Sequence, residues 1–232
     1  MTWAEQQKQS IARYQDESYE EDATIGELFG AFIAVTLDRS KLVLDIGSGL
    51  HPSLPHYVKQ LGLSDFCGIE PLTVDVDRNF RCLTGVLAEN IPLETGSAGA
   101  ALFATSLDHI EDAKAAIKEV TRVVHGPLYF WLGVHDPYIV AESKTFGVVF
   151  NHRKGMRKFA SFFLAPVEYA YVGWQMRKRE RDLSNGTPLD TAHVRYHTMA
   201  GVDAEFANYG LRITRRVLVP GSGSAFVEAV VA

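Results

Sequence analysis

The chain has 232 residues, 47% of them hydrophobic, with 23 basic against 28 acidic side chains and a net charge of -5. That length supports one sizeable core and is short for two domains, so a single domain over 1–232 is expected. The acidic balance argues against nucleic acid as a partner, because phosphate binding shows as a basic excess.

The opening "MTWAEQQKQSIARYQDE" is polar and lacks the apolar centre of a signal peptide, and no run reaches the roughly 18 apolar residues of a membrane span. A soluble, cytoplasmic protein is expected. Residues 3 to 37 read as helical and end in the apolar segment "IGELFGAFIAVTL". The run "KLVLDI" then reads as a strand. Leu54, Val58 and Leu61 share one face of a helix that Pro52 opens and Gly62 closes. Further strands are predicted at "DFCGIE", "RCLTGVLA" and "GAALFATS". Cys67 and Cys82 lie within the first two of these and read as buried thiols in a reducing compartment, not as a disulfide or metal pair.

The segment "EDAKAAIKEVTRVV" is amphipathic, with Ala113, Ile117, Val120 and Val124 on one face and Glu111 and Asp112 in its first turn. The nearly continuous apolar run "PLYFWLGV" predicts a fifth strand covered on both faces. From 135 to 192 the rhythm breaks into an aromatic and basic stretch, read as an inserted cap. Two strands, "LRITRRVLVP" and "SAFVEAVVA", follow and are joined by the turn "PGSGS". The fold class is therefore α/β: a Rossmann-like, mostly parallel seven-stranded sheet with helices on both faces, a C-terminal antiparallel hairpin and the inserted cap.

The turn "LDIGSGLHP" decides the ligand. No Lys followed by Ser or Thr comes after the second glycine, which excludes a P-loop. Leu50, His51 and Pro52 follow Gly49, so the third glycine of a dinucleotide fingerprint is missing and a pyrophosphate fits poorly. Asp45 repels phosphate but suits an ammonium and a sulfonium, while Gly47 and Gly49 let backbone approach the ligand closely. Glu70, ending the next strand, is placed to accept hydrogen bonds from two ribose hydroxyls. Together these favour S-adenosylmethionine.

From "LVLDIGSG" through "GIEPL", "LAENIPL" and "ATSLDHIEDAKAAIKEVTRVV" to "PLYFWLGV", the chain resembles the class I S-adenosylmethionine-dependent methyltransferases, and most of all their methyltransferase type 11 branch. The resemblance implies that Asp45, Gly47 and Gly49 line the methionine and ribose, that Glu70 holds the ribose, that Leu87 and Ala88 flank the adenine, and that Thr105 lies beside the methionine. The product would be S-adenosylhomocysteine. The chain departs from the family at three points: His51 replaces a loop glycine, Leu87 stands where an Asp often reads the adenine, and "VVHGPLYF" lacks a glycine pair.

Methyl transfer from a sulfonium needs alignment and exclusion of water more than covalent help, and a hydroxyl acceptor also needs a base. His109, His135 and His193 are the candidates. His193, Arg195 and His197 alternate on one face, but His-x-Arg-x-His alone is no zinc signature, so no metal is expected. Residues 153 to 181 carry eight Lys or Arg, two Glu and six aromatics, including Phe159, Tyr169 and Trp174. That mixture suits an anionic, sugar or lipid-linked small-molecule acceptor, or weak contact with an anionic membrane surface. The expected activity is O-methylation of such an acceptor. A non-catalytic binding or scaffold protein of the same fold is the alternative, ahead of an RNA or protein methyltransferase and of a nicotinamide dehydrogenase.

Overall fold

The computed structural model describes residues 11, 23–73, 75–136, 170, 173–174, 177–178, 181, 193–219 and 222–232. Helix α1 (Ala23–Ala34) leads into strand β1 (Leu42–Ile46), helix α2 (His56–Lys59), β2 (Asp65–Glu70), β3 (Arg81–Thr84) and β4 (Ala100–Ala104). A 3-10 turn (Leu107–His109), α3 (Ala113–Val123), β5 (Leu128–Gly133), α4 (Val202–Asn208), β6 (Leu211–Val219) and β7 (Ser224–Val231) follow.

The seven strands form one sheet in the order β3-β2-β1-β4-β5-β7-β6. The first five run parallel, and β7 pairs antiparallel with both β5 and β6. The chain starts in the middle, builds outward to β3 and then returns to place β4 on the other side of β1. A crevice opens at such a reversal, at the carboxyl ends of the strands. Gly47, Glu70 and Thr105 all stand at those ends.

Alternation along the strands divides the core in two. Leu44, Ile46, Ala101, Phe103, Phe130 and Val227 face one side, where α3 and α4 bring Ile117, Val120, Val202 and Phe206. Val43, Leu102, Tyr129, Trp131 and Phe226 face the other, against Phe29 and Ile33 of α1 and Val58 of α2. Fully burying each large aliphatic contributes about 1.5–3 kcal/mol. Asp112 is the N-cap of α3, accepting from the Ala115 amide at 2.9 Å, and not a first-turn residue. Such a cap is worth about 1 kcal/mol.

Two predicted elements shrink. The helix expected over Pro52–Gly62 is the single turn His56–Lys59, with Pro55 extended at φ -57°, ψ 152° as its N-cap. Proline pushes the residue before it out of the helical region, so no helix forms ahead of Pro55. The third strand ends at Thr84, because Gly85 turns to φ +71°. Helix α1 packs closely on α2: a Cβ on Gly30 would meet the Tyr57 carbonyl oxygen at 2.7 Å. That approach sets Tyr57 against the sheet. The 153–181 segment lies almost wholly outside the described residues, and of its aromatics Trp174 is described and exposed.

Candidate active site

The turn after β1 is built on glycine. Gly47 and Gly49 both adopt φ +73°, a region L side chains avoid, and a Cβ on Gly47 would fall 2.7 Å from that of Ser106. The turn is stitched to the end of β2: the Gly47 amide donates to the Ile69 carbonyl at 2.8 Å, and the Gly49 amide donates to Glu70 Oε2 at 2.9 Å. Arg78 Nη2 donates to the Gly49 carbonyl at 2.9 Å.

Two buried carboxyls underlie this turn. Glu70 accepts from Leu72 N as well, at 3.0 Å, so each of its oxygens holds one backbone amide and keeps a further lone pair. Burial pushes Glu70 above the usual carboxylate range, tempered by the Leu72 and Gly49 amides and by Arg78. Asp45 is fully buried and accepts from the Tyr57 hydroxyl at 2.9 Å, while its Oδ1 has no hydrogen-bond partner. Burial drives it up to about 7; the Tyr57 hydrogen bond pulls it down and the Glu70 charge adds a smaller upward push. The cavity is lined by Ile46 and Tyr57, next to Asp45 in the chain and in space, while the Asp45 carboxyl is itself fully buried. Tyr57, which the sequence did not mark out, is part of the cavity wall and donates its hydroxyl hydrogen bond to Asp45.

A cavity of about 240 Å³ opens beside the turn. Gly47, Gly49, Glu70, Leu87, Ala88, Thr105 and His109 all line it, as do His51, Ser106 and Trp131. Among the described residues no Lys or Arg lines it, whereas Glu70 and Glu89 do. Thr105 sits at φ 54°, rare for a β-branched residue, with its amide tied to the Trp131 carbonyl at 2.9 Å. Strain of this sort is held by its surroundings and concentrates at functional sites.

Beyond Thr105 the three histidine candidates converge on one patch. The rings of His109 and His193 lie 4.6 Å apart, and Tyr196 stands between His193 (6.0 Å) and His135 (5.1 Å). Only His109 of the three lines the cavity. Asp108, not singled out in the sequence, lies between two imidazoles: Oδ1 is 3.8 Å from His109 Nε2 and Oδ2 is 3.5 Å from His193 Nε2. The segment bearing His193 is pinned there. Val194 N donates to the Asp108 carbonyl at 2.9 Å, and Arg195 donates to the carbonyls of Leu107 and Glu111 at 2.9 and 3.0 Å. His197 does not share this patch; it is buried, with Nδ1 2.9 Å from Glu205.

Neither a protein-family model nor a curated protein matches the sequence. Solved structures do. An S-adenosylmethionine-dependent methyltransferase of Thermotoga maritima, described as a possible histamine N-methyltransferase, aligns over 100% of both chains at 14% identity and a TM-score of 0.58. A methyltransferase of the same cofactor class from Aquifex aeolicus aligns over 100% of both at 13% identity and 0.54. The 1,6-didemethyltoxoflavin-N1-methyltransferase of Burkholderia thailandensis, solved with its substrate and S-adenosylhomocysteine, aligns over 95% of this chain and 83% of its own at 12% identity and 0.57. At such identities the likeness is one of architecture: the chain has the Rossmann-like fold of class I methyltransferases. Among the described residues no helix is long and apolar enough to cross a membrane.

Proposed function

We propose that the protein is an S-adenosylmethionine-dependent methyltransferase that methylates a hydroxyl of a small-molecule acceptor. The observation that carries this reading is the buried Glu70 carboxylate, fixed by the Gly49 and Leu72 amides at the rim of a cavity that, among the described residues, has no Lys or Arg in its lining. A phosphate ligand would lack a counter-charge there, whereas a ribose diol and a cationic sulfonium suit both the carboxylate and the sign of the wall. When bound, the cofactor would supply an electrophilic methyl on a cationic sulfur for transfer to the acceptor oxygen, leaving S-adenosylhomocysteine.

In this reading Glu70 accepts from the ribose hydroxyls, Gly47 and Gly49 admit the ligand against the turn, Leu87 and Ala88 cover the adenine, and Thr105 backs the methionine. Asp45 acts from behind, by holding Tyr57. His109 takes the acceptor's proton, with His193 and His135 as its neighbours in the patch. The acceptor is anionic, sugar-like or lipid-linked, a property supported by the basic and aromatic composition of 153–181. The same composition supports weak docking on anionic membrane surfaces and leaves nucleic acid aside.

Calorimetric titration with S-adenosylmethionine and S-adenosylhomocysteine tests the cofactor. Both are expected to bind, and Glu70→Ala to weaken them by about tenfold or more, the loss of a charge-assisted pair of hydrogen bonds. Absence of binding by either ligand would refute the reading. Turnover across a panel of hydroxylated acceptors separates an enzyme from a cofactor-binding scaffold. Salt-sensitive co-sedimentation with anionic vesicles tests the membrane contact.

A further inference from the structure

The patch beyond the cavity contains a donor set that methyl transfer by a free imidazole does not require. Asp108, His109 and His193 each offer one ligand atom, and these three atoms lie within 4.8 Å of one another. Two imidazole nitrogens and a carboxylate oxygen form the mixed set that first-row divalent cations of the zinc and cobalt type prefer, with positions left open for water or substrate. A cation about 2.1 Å from each donor needs donors roughly 3.0–3.5 Å apart. The two Asp108 oxygens reach one histidine each, Oδ1 to His109 Nε2 at 3.8 Å and Oδ2 to His193 Nε2 at 3.5 Å, and the three-atom set as a whole, within 4.8 Å, has to draw in by about 1 Å to hold an ion.

A second observation points the same way. Asp108 is 5% exposed, and its Oδ1 takes no hydrogen bond although it is directed at His109. A buried carboxylate oxygen left in this state is costly unless something charged meets it. The backbone around the set is also fixed. Val194 N on the Asp108 carbonyl, and Arg195 on the Leu107 and Glu111 carbonyls, hold the two contributing segments together across more than 80 positions of sequence. Outer contacts of this kind pre-orient metal ligands.

We infer that Asp108, His109 and His193 form a binding site for a single divalent cation of the zinc or cobalt class. His-x-Arg-x-His lacks further ligands in the sequence; the fold supplies them from the turn after β4. Binding involves no redox change: each imidazole gives a nitrogen lone pair and Asp108 its charge. Because His109 is also a wall of the cavity, the cation stands at the cavity's edge, where it can coordinate an acceptor hydroxyl and ease the loss of its proton, the ion then taking over the role of the free His109 imidazole. This last consequence rests on the methyltransferase reading; the binding of the ion does not.

The test is a titration of the full chain, purified in chelator and freed of it, with Co²⁺ alone, followed by the visible absorption of bound cobalt and by calorimetry with Zn²⁺. One ion per chain is expected. His193→Ala and His109→Gln are each expected to weaken binding by about 10- to 100-fold or more, as loss of a ligand does, while His125→Ala, which removes an exposed histidine elsewhere, leaves it unchanged. Asp108→Asn should behave like the histidine variants; should it fail to fold, they decide. No cobalt binding, or binding equal in His193→Ala, His109→Gln and wild type, overturns the site. Glu70→Ala separates the two proposals: it is expected to lose S-adenosylmethionine and keep cobalt.

Discussion

The two sides of the cavity are made from different materials. On the β1–β2 side, shape and polarity come from backbone: two glycines at positive φ, amides donated to Glu70, and a buried carboxyl held by Tyr57. On the β4–β5 side the wall is Thr105, Ser106, Trp131 and the His109 imidazole, and past His109 lies a patch of side chains, His193, His135, Tyr196 and Asp108, carried on a short turn and on a segment that returns from far along the chain. A wall of backbone tolerates almost no substitution, whereas a wall of side chains can be rewritten one residue at a time. The first suits a ligand that never changes and the second one that does.

The sharpest way to break this contrast is Gly47→Ala. The added Cβ meets Ser106 at 2.7 Å in a region of φ that alanine avoids, so a stability loss of about 3 kcal/mol is expected in urea unfolding, with cofactor binding lost as well. His193→Ala should do the opposite. It leaves stability within about 1 kcal/mol and cofactor affinity unaltered, yet slows methyl transfer by roughly 100-fold, as read from single-turnover rates.

A third test lies in pH. Asp45 is raised to about 7 in the fold against an ordinary value near 3.8, so the native state holds a proton that the unfolded chain releases in between. Stability is therefore greatest below about pH 4 as far as this group is concerned, and falls as pH rises to about 7, by a few kcal/mol in all. Asp45→Asn, which still accepts from Tyr57, should flatten that decline between pH 5 and 8. The smallest effect belongs to Tyr57→Phe. Loss of one hydrogen bond onto a buried acceptor costs about 1–2 kcal/mol in the same unfolding experiment.

Much of the backbone side was legible in the sequence. Asp65–Glu70 forms a strand over the full length of its apolar run, and Gly47, Gly49 and Glu70 come together because a parallel sheet aligns its carboxyl ends. Helix α2 was misjudged because apolar spacing suggested eleven residues while two prolines allowed one turn. The side-chain side was less legible. His109 and His193 could each be picked as titratable residues, but their meeting depends on Arg195 reaching back to Leu107 and Glu111, a contact that no local period encodes. Asp108 looked like an ordinary turn acid, since its neighbour His193 lies 85 positions further on.

The chain leaves the sheet past Val134 and comes back at His197, and there outgoing and returning backbones touch: the two form a bridge, and His135 N donates to the His197 carbonyl at 2.9 Å. Whatever is threaded between them begins and ends at a closed clasp. The entropy of closing a loop rises only with the logarithm of its length, by about 0.6 kcal/mol per doubling. The stretch between His135 and His193 can therefore be exchanged for a longer or shorter one without asking the sheet, or the contacts that Arg195 makes with Leu107 and Glu111, to refold, which makes this clasp a natural graft point.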